Sequence, residues 1–225
     1  MSNRLLVPKS KRFLIESPSI LRPRSIIPGV MPIPRASKPP VFPGSQTFST
    51  AGAFNFTIPN FNTLVVEIRG AGGGGGSFDY TTDYNGQEYY ASAAGAGGAS
   101  TWNGLTAIGG GAGTKGWYQD GTEESVPGGA GAAGAASGGD TNTTGGGNAG
   151  GAGISAANSI GGAGGNGGNG GYGKKTYTAA QLTAGAIIGG TVGAGGVAGR
   201  NATYWPNAAQ DAKAGTGATI TFTWS

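Results

Sequence analysis

Side chains that could carry acid–base or nucleophilic chemistry are few and scattered in this 225-residue sequence. It contains no Cys and no His. Disulfides, zinc fingers, thiol nucleophiles, Ser-His-Asp triads and imidazole catalysis at neutral pH are thereby excluded. Two glycine patterns approach phosphate-binding loops. Residues 165–170, "GNGGNG", fit G-x-G-x-x-G, but no apolar strand precedes them and 50 glycines make such matches by chance. In "GNGGYGKK", residues 168–175, Lys175 stands where a P-loop needs Ser or Thr for Mg²⁺. "DYNGQE", residues 83–88, lacks the Asp/Asn series and distal Glu of a calcium loop and reads as a polar turn. Glu123 and Glu124 are adjacent, so they point apart and do not form the carboxylate pair of a glycosidase. The expectation is a non-enzyme with no cofactor and no metal.

Recognition by aromatic surface remains. "SFDYTTDYNGQEYY" (77–90), "TKGWYQDGTEESVP" (114–127) and "RNATYWPNAAQD" (200–211) concentrate rings and acids that the rest of the chain lacks. Exposed rings beside polar groups give large contact area at low entropy cost, which suits sugars and protein loops. The candidate contact residues are Tyr80, Tyr84, Tyr89, Tyr90, Trp117, Tyr118, Tyr204 and Trp205. Rings in these places could equally cap a scaffold and exclude water, and the sequence leaves both roles open.

The elements that must position them divide at residue 44. Gly and Pro together make 62 residues, roughly 28% of the chain, a composition at which disorder is the default. They are segregated, however: nine of twelve prolines precede Gly44 and 48 glycines follow it. Residues 1–44 carry a net +7 and the remainder −3, so the basic balance belongs to a leader and no nucleic-acid partner is expected. The leader repeats a short apolar piece, then Pro and a base, which forbids a long helix and favours extended chain. Its apolar residues Leu5, Leu6, Phe13, Leu14, Ile20, Leu21, Ile26, Ile27, Val41 and Phe42 cannot bury one another in a straight segment. They read as a docking arm that orders on a partner, with a disordered tail as the alternative. The pieces "LLV", "FLI", "SIL" and "SII" are too short for a secretory signal, and no run reaches the ~18 apolar residues of a membrane span. No membrane insertion is expected.

The body, 45–225, opens on two alternating segments. Phe54, Phe56 and Ile58 share one face of "AFNFTI", and Leu64, Val66 and Ile68 share one face of "TLVVEIRG". Ile220, Phe222 and Trp224 repeat the pattern at the other end. These three segments predict a small sheet joining the ends of the body. Between them, glycine recurs at every third position, as in "GGAGGNGGNGGYG" (161–173) and "GGTVGAGGVAG" (189–199). Three residues per turn is the repeat of the polyproline II helix, and glycine retains the N–H that proline lacks. Tracts near 71–76, 93–99, 107–113, 128–137, 145–153, 161–173 and 185–199 therefore predict a bundle of left-handed threefold helices joined backbone to backbone. The expected fold class is mainly β and irregular: the small sheet, the bundle and the extended arm.

"TAGAFNFTIPNFNTLVVEIRGAGGGGG", the later "LTAGAIIGGTVGAGGVAGR" and the terminal "GTGATITFTWS" resemble the glycine-rich domain of bacteriophage tail fibres and adhesins. The resemblance covers about 45–225. It implies polyglycine II helices forming a rigid slab whose intervening loops touch a host receptor. It further implies a virion protein, made in the host cytoplasm and placed on the external face. Residues 1–44 would dock other virion proteins of the tail or baseplate, and the body would contact a host-surface glycan or protein. Homo-oligomerisation stays open. A capsid or tail decoration protein that stabilises the virion without binding a receptor is the alternative.

Overall fold

The computed structural model describes residues 39–80, 91–119, 124–153, 163–200 and 212–225, with the side chains of 79, 80, 118, 119 and 124 not described. Alternation of apolar and polar residues produces most of the strands. In chain order they are β1 (Gly44–Phe48), β2 (Gly52–Thr57), β3 (Thr63–Arg69), β4 (Phe78–Tyr80) and β5 (Ser100–Trp102). Next come β6 (Leu105–Ala107), β7 (Gly116–Gln119), β8 (Glu124–Val126) and β9 (Ala136–Ser137). β10 (Thr141–Thr143), β11 (Tyr172–Thr178), β12 (Ile187–Val192) and β13 (Thr219–Trp224) complete the set. There is no helix of the α type among the described residues.

Two antiparallel five-stranded sheets face each other, ordered β1-β13-β3-β11-β10 and β2-β12-β5-β6-β9. The core lies between them. Phe56 of β2 stacks on Phe222 of β13 at 3.9 Å, and the Trp102 ring of β5 meets Phe222 edge-on at 4.9 Å. Leu64, Val66, Ile68, Leu105 and Ile220 are fully buried around these rings. Burying a side chain of this size stabilises the fold by about 1.5–3 kcal/mol, so the three alternating segments supply much of the sandwich.

One predicted pairing differs. β3 and β13 do pair, from Trp224 opposite Leu64 to Thr219 opposite Arg69. β2 instead joins the facing sheet beside β12, with Phe56 opposite Ile188. Alternation says that one face of a strand is buried; it does not say whether the covering residues come from beside it or from across the core. The predicted tract at 185–199 is shortened for a related reason. Residues 187–192 form a strand, and a side chain at Gly190 would overlap the Phe54 ring.

The glycine tracts leave the sandwich as extended segments bonded through their backbones. In the tract 70–76, each N–H finds a different neighbour from the residues before and after it, and the same neighbour returns every third residue. Gly70, Gly73 and Gly76 donate to Gly171, Gly168 and Gly165. Ala71 and Gly74 donate to Gly98 and Gly95, while Gly72 and Gly75 donate to Thr216 and Lys213. The carbonyls follow the same rule. Those of Gly70 and Gly73 accept from Asn148 and Gly151, those of Ala71 and Gly74 from Gly110 and Gly113, and those of Gly72 and Gly75 from Gly196 and Gly199.

Six tracts thus surround residues 70–76. The three that accept its N–H groups run antiparallel to it, and the three that donate to its carbonyls run parallel. Bonds between neighbours close the ring in the order 163–171, 108–114, 92–98, 193–200, 212–218 and 147–153, so direction alternates around it. An eighth tract, 128–135, lies outside the ring against 108–114 and 163–171. The tract 212–218, "AKAGTGA", was not legible as one because it carries only two glycines. Residues 71–77 at the centre are all buried. A Cβ on any of Gly72 to Gly76 would overlap a neighbouring carbonyl oxygen, that of Ala149, Gly111, Val197, Ala152 or Thr114. Positive φ is confined, among the described residues, to Asn103, Gly52, Gly104, Gly138, Gly145 and Gly185, none of them in a tract. Glycine is required in the bundle for its lack of volume.

Candidate functional site

The tracts run alternately away from and back to the sandwich, so their far ends gather at one pole. Ser77 anchors that pole from full burial: its hydroxyl donates to the Ser92 carbonyl at 2.7 Å. Ser92 in turn exchanges bonds with Arg200, donating its N–H to the Arg200 carbonyl and accepting the Arg200 N–H on its hydroxyl at 2.9 Å. Gly128 donates to the Ala163 carbonyl and Lys213 to that of Ala152. The residues that flank 81–90, 120–123, 154–162 and 201–211 therefore all lie at this pole.

A three-stranded sheet, β4-β7-β8, stands on the same pole. Its register is inherited from the bundle. Gly110 and Gly113 donate to Ala71 and Gly74, and Gly116 continues the series by donating to Ser77 at 3.0 Å. Past that point the two parallel tracts become parallel strands, with Asp79 opposite Trp117 and Tyr80 opposite Tyr118. β8 adds to the other side of β7, placing Val126 opposite Trp117 and Ser125 opposite Tyr118. Trp117 is half-buried and Val126 exposed.

Of the sequence-derived contact residues, the structure brings Tyr80, Trp117 and Tyr118 together through this pairing. Tyr84, Tyr89, Tyr90, Tyr204 and Trp205 lie outside the described residues. Of the docking arm, Leu5, Leu6, Phe13, Leu14, Ile20, Leu21, Ile26 and Ile27 lie outside them too. Val41 is half-buried, and Phe42 is 74% exposed while its carbonyl accepts the Trp224 indole N–H at 2.9 Å. Pro39, Pro40, Phe42, Pro59 and Trp224 line an open groove of about 400 Å³. β3 enters the bundle at its C-terminal end, so the turn at Pro59 and Asn60 lies at the other pole. Pro39 and Phe42 lie there as well.

Nothing in the sequence pointed to Ser77 or Ser92, and the every-third positions of Asn166 and Asn169 did not reveal their bonding role. Asn169 and Asn166 accept the N–H groups of Gly150 and Gly153 on their side-chain oxygens, at 3.0 and 2.9 Å. Each supplies an acceptor to the tract 147–153. The residues of the G-x-G-x-x-G match are thus committed to the bundle, and no phosphate cradle remains there. Gly168 to Lys175 likewise run through the end of a tract into β11.

Titratable groups cluster on the outer face of the first sheet. Lys174 pairs with Glu67 at 3.4 Å, and the Tyr172 hydroxyl donates to the same carboxylate at 3.1 Å. Arg69 lies over the Tyr172 ring at 4.9 Å. Burial, then the bond to Glu67, raises the Tyr172 phenol above its ordinary value. These groups satisfy one another and leave no free acid or base aimed at a cavity. No protein-family model, curated protein or solved structure matches this chain.

Proposed function

We propose that this chain is a bacteriophage virion protein that attaches the particle to a host surface. Residues 1–44 anchor it to a tail or baseplate partner, and the glycine-rich body is displayed outward. The tracts are polyglycine II helices: every third residue returns to the same neighbour, and no tract residue has positive φ. At about 3.1 Å per residue, a seven-residue rod of this kind sets the aromatic pole roughly 20 Å beyond the sandwich.

The polarity of the molecule carries the reading. Pro39 and Phe42 lie at one pole, and every connection that holds a candidate aromatic begins and ends at the other. A rod whose core is backbone hydrogen bonds resists bending. Host-surface glycan or protein would be gripped by Trp117, Tyr80 and Tyr118 with the rings of 81–90 and 201–211.

The test replaces Trp117, Tyr84, Tyr89, Tyr90, Tyr204 and Trp205 by Ser in the phage genome. Adsorption is expected to fall sharply while particle yield and thermal resistance are unchanged, and deletion of 1–38 is expected to remove the protein from the particle. Normal adsorption of fragile particles would overturn attachment and favour the decoration role.

A further inference from the structure

Three Asn-Gly dipeptides occur among the described residues: Asn103-Gly104, Asn166-Gly167 and Asn169-Gly170. In this dipeptide the glycine nitrogen, unshielded by a neighbouring Cβ, can attack the asparagine side-chain carbonyl. The structure treats the three copies differently. In the bundle, Gly167 and Gly170 commit their N–H groups to the carbonyls of Gly151 and Asn148, both at 2.9 Å. The side-chain oxygens of Asn166 and Asn169 are held by Gly153 and Gly150. Nucleophile and electrophile are tied to the neighbouring tract.

Asn103 and Gly104 form the two-residue turn between β5 and β6, with φ of 44° and 79°, the left-handed pair of a type I′ hairpin. Both are exposed. The Gly104 N–H has no hydrogen-bond partner among the described residues, and the carbonyl of Asn103 accepts a bond from the Tyr177 hydroxyl at 3.4 Å. The turn must open for the nitrogen to reach the side-chain carbon. A hairpin tip opens locally, whereas Asn166 and Asn169 move only when tracts separate.

We propose that Asn103 is a site of spontaneous imide formation, which marks the age of the folded protein. The Gly104 nitrogen bonds to Cγ of Asn103, the Cγ–Nδ2 bond breaks, and Nδ2 leaves as ammonia carrying the backbone proton. Water then opens the five-membered imide at either carbonyl, giving aspartate or an isoaspartyl linkage. The isoaspartyl form inserts an extra backbone carbon between Trp102 and Leu105, which are both buried core residues. A two-residue turn has no slack to absorb it, so accumulation of this form loosens the β5–β6 corner of the core.

The full chain, incubated folded at mildly alkaline pH, is digested and its Asn-Gly peptides are followed by mass spectrometry with isoaspartyl detection. Asn103 is expected to convert at least about thirtyfold faster than Asn166 or Asn169, the factor for two net hydrogen bonds. In denaturant the three rates should converge. Equal folded rates, no conversion at Asn103 in the folded chain, or an Asn103 preference that persists in denaturant would each overturn the proposal.

Discussion

The sandwich and the bundle are held together by different parts of the amino acid. In the sandwich, side chains meet across 3.9–4.9 Å ring contacts, and burial of Phe56, Trp102 and Phe222 drives association. In the bundle, side chains are nearly absent from the interior and the peptide units themselves form the contact. Each backbone bond contributes only about 1 kcal/mol net, so a ring of six around one tract is what makes the total sufficient. The contrast shows why the two regions tolerate different changes. A sandwich fails when volume is removed, and a bundle fails when volume is added.

Substitutions can break or sharpen that contrast. Phe222→Ala should cost about 3–5 kcal/mol, measured by denaturant unfolding, because it empties the centre of the ring cluster. Gly74→Ala should cost about 3 kcal/mol or more although it adds a single methyl, since the new carbon overlaps the Val197 carbonyl and a ring of backbone cannot yield. A tolerated Gly74→Ala would show that the tracts slide apart readily and would remove the basis of the comparison. Asn169→Ala should cost about 1 kcal/mol by leaving the Gly150 N–H without its acceptor. Gly217→Ala should stay within about 0.5 kcal/mol, because nothing lies within 4 Å of its missing Cβ although it belongs to a ring tract.

The sandwich also carries a pH response that the bundle interior has no groups to produce. Burial raises the Tyr177 phenol above its ordinary value of 10.0, with the hydrogen bond from the Asn103 side chain opposing the rise and Asp140 adding to it. A raised phenol stays protonated longer in the folded chain. Its contribution is complete below the unfolded value near pH 10 and is lost as pH rises through the higher folded value. Thermal scans should show Tm falling above about pH 10, and Tyr177→Phe should make that fall shallower.

Much of the sandwich was legible because alternation is a local property. Leu64, Val66 and Ile68 declare their buried face by spacing alone, and they are buried. The partner of β2 was not legible, since Phe56 has the same spacing whether its neighbour lies beside or across. The threefold recurrence of glycine marked most of the tracts, and within 70–76 the same neighbouring tract returns at every third residue. "AKAGTGA" escaped because a tract on the rim needs glycine only on its inner side, and two glycines make no visible period. The aromatic loops were legible as composition. That the residues flanking them share one pole was not, since it depends on every second tract reversing direction.

The sequence by itself determined the local conformations: alternating residues that form strands, and glycine repeats that can only pack closely through backbone. Tertiary structure alone decided which tract stands at the centre. "RGAGGGGGS" is the longest unbroken glycine run, but its place follows from six neighbours whose N–H and carbonyl groups point at it from alternating directions. Hydrogen bonds between tracts join residues far apart in sequence, and no local spacing encodes which distant carbonyl a given N–H will meet.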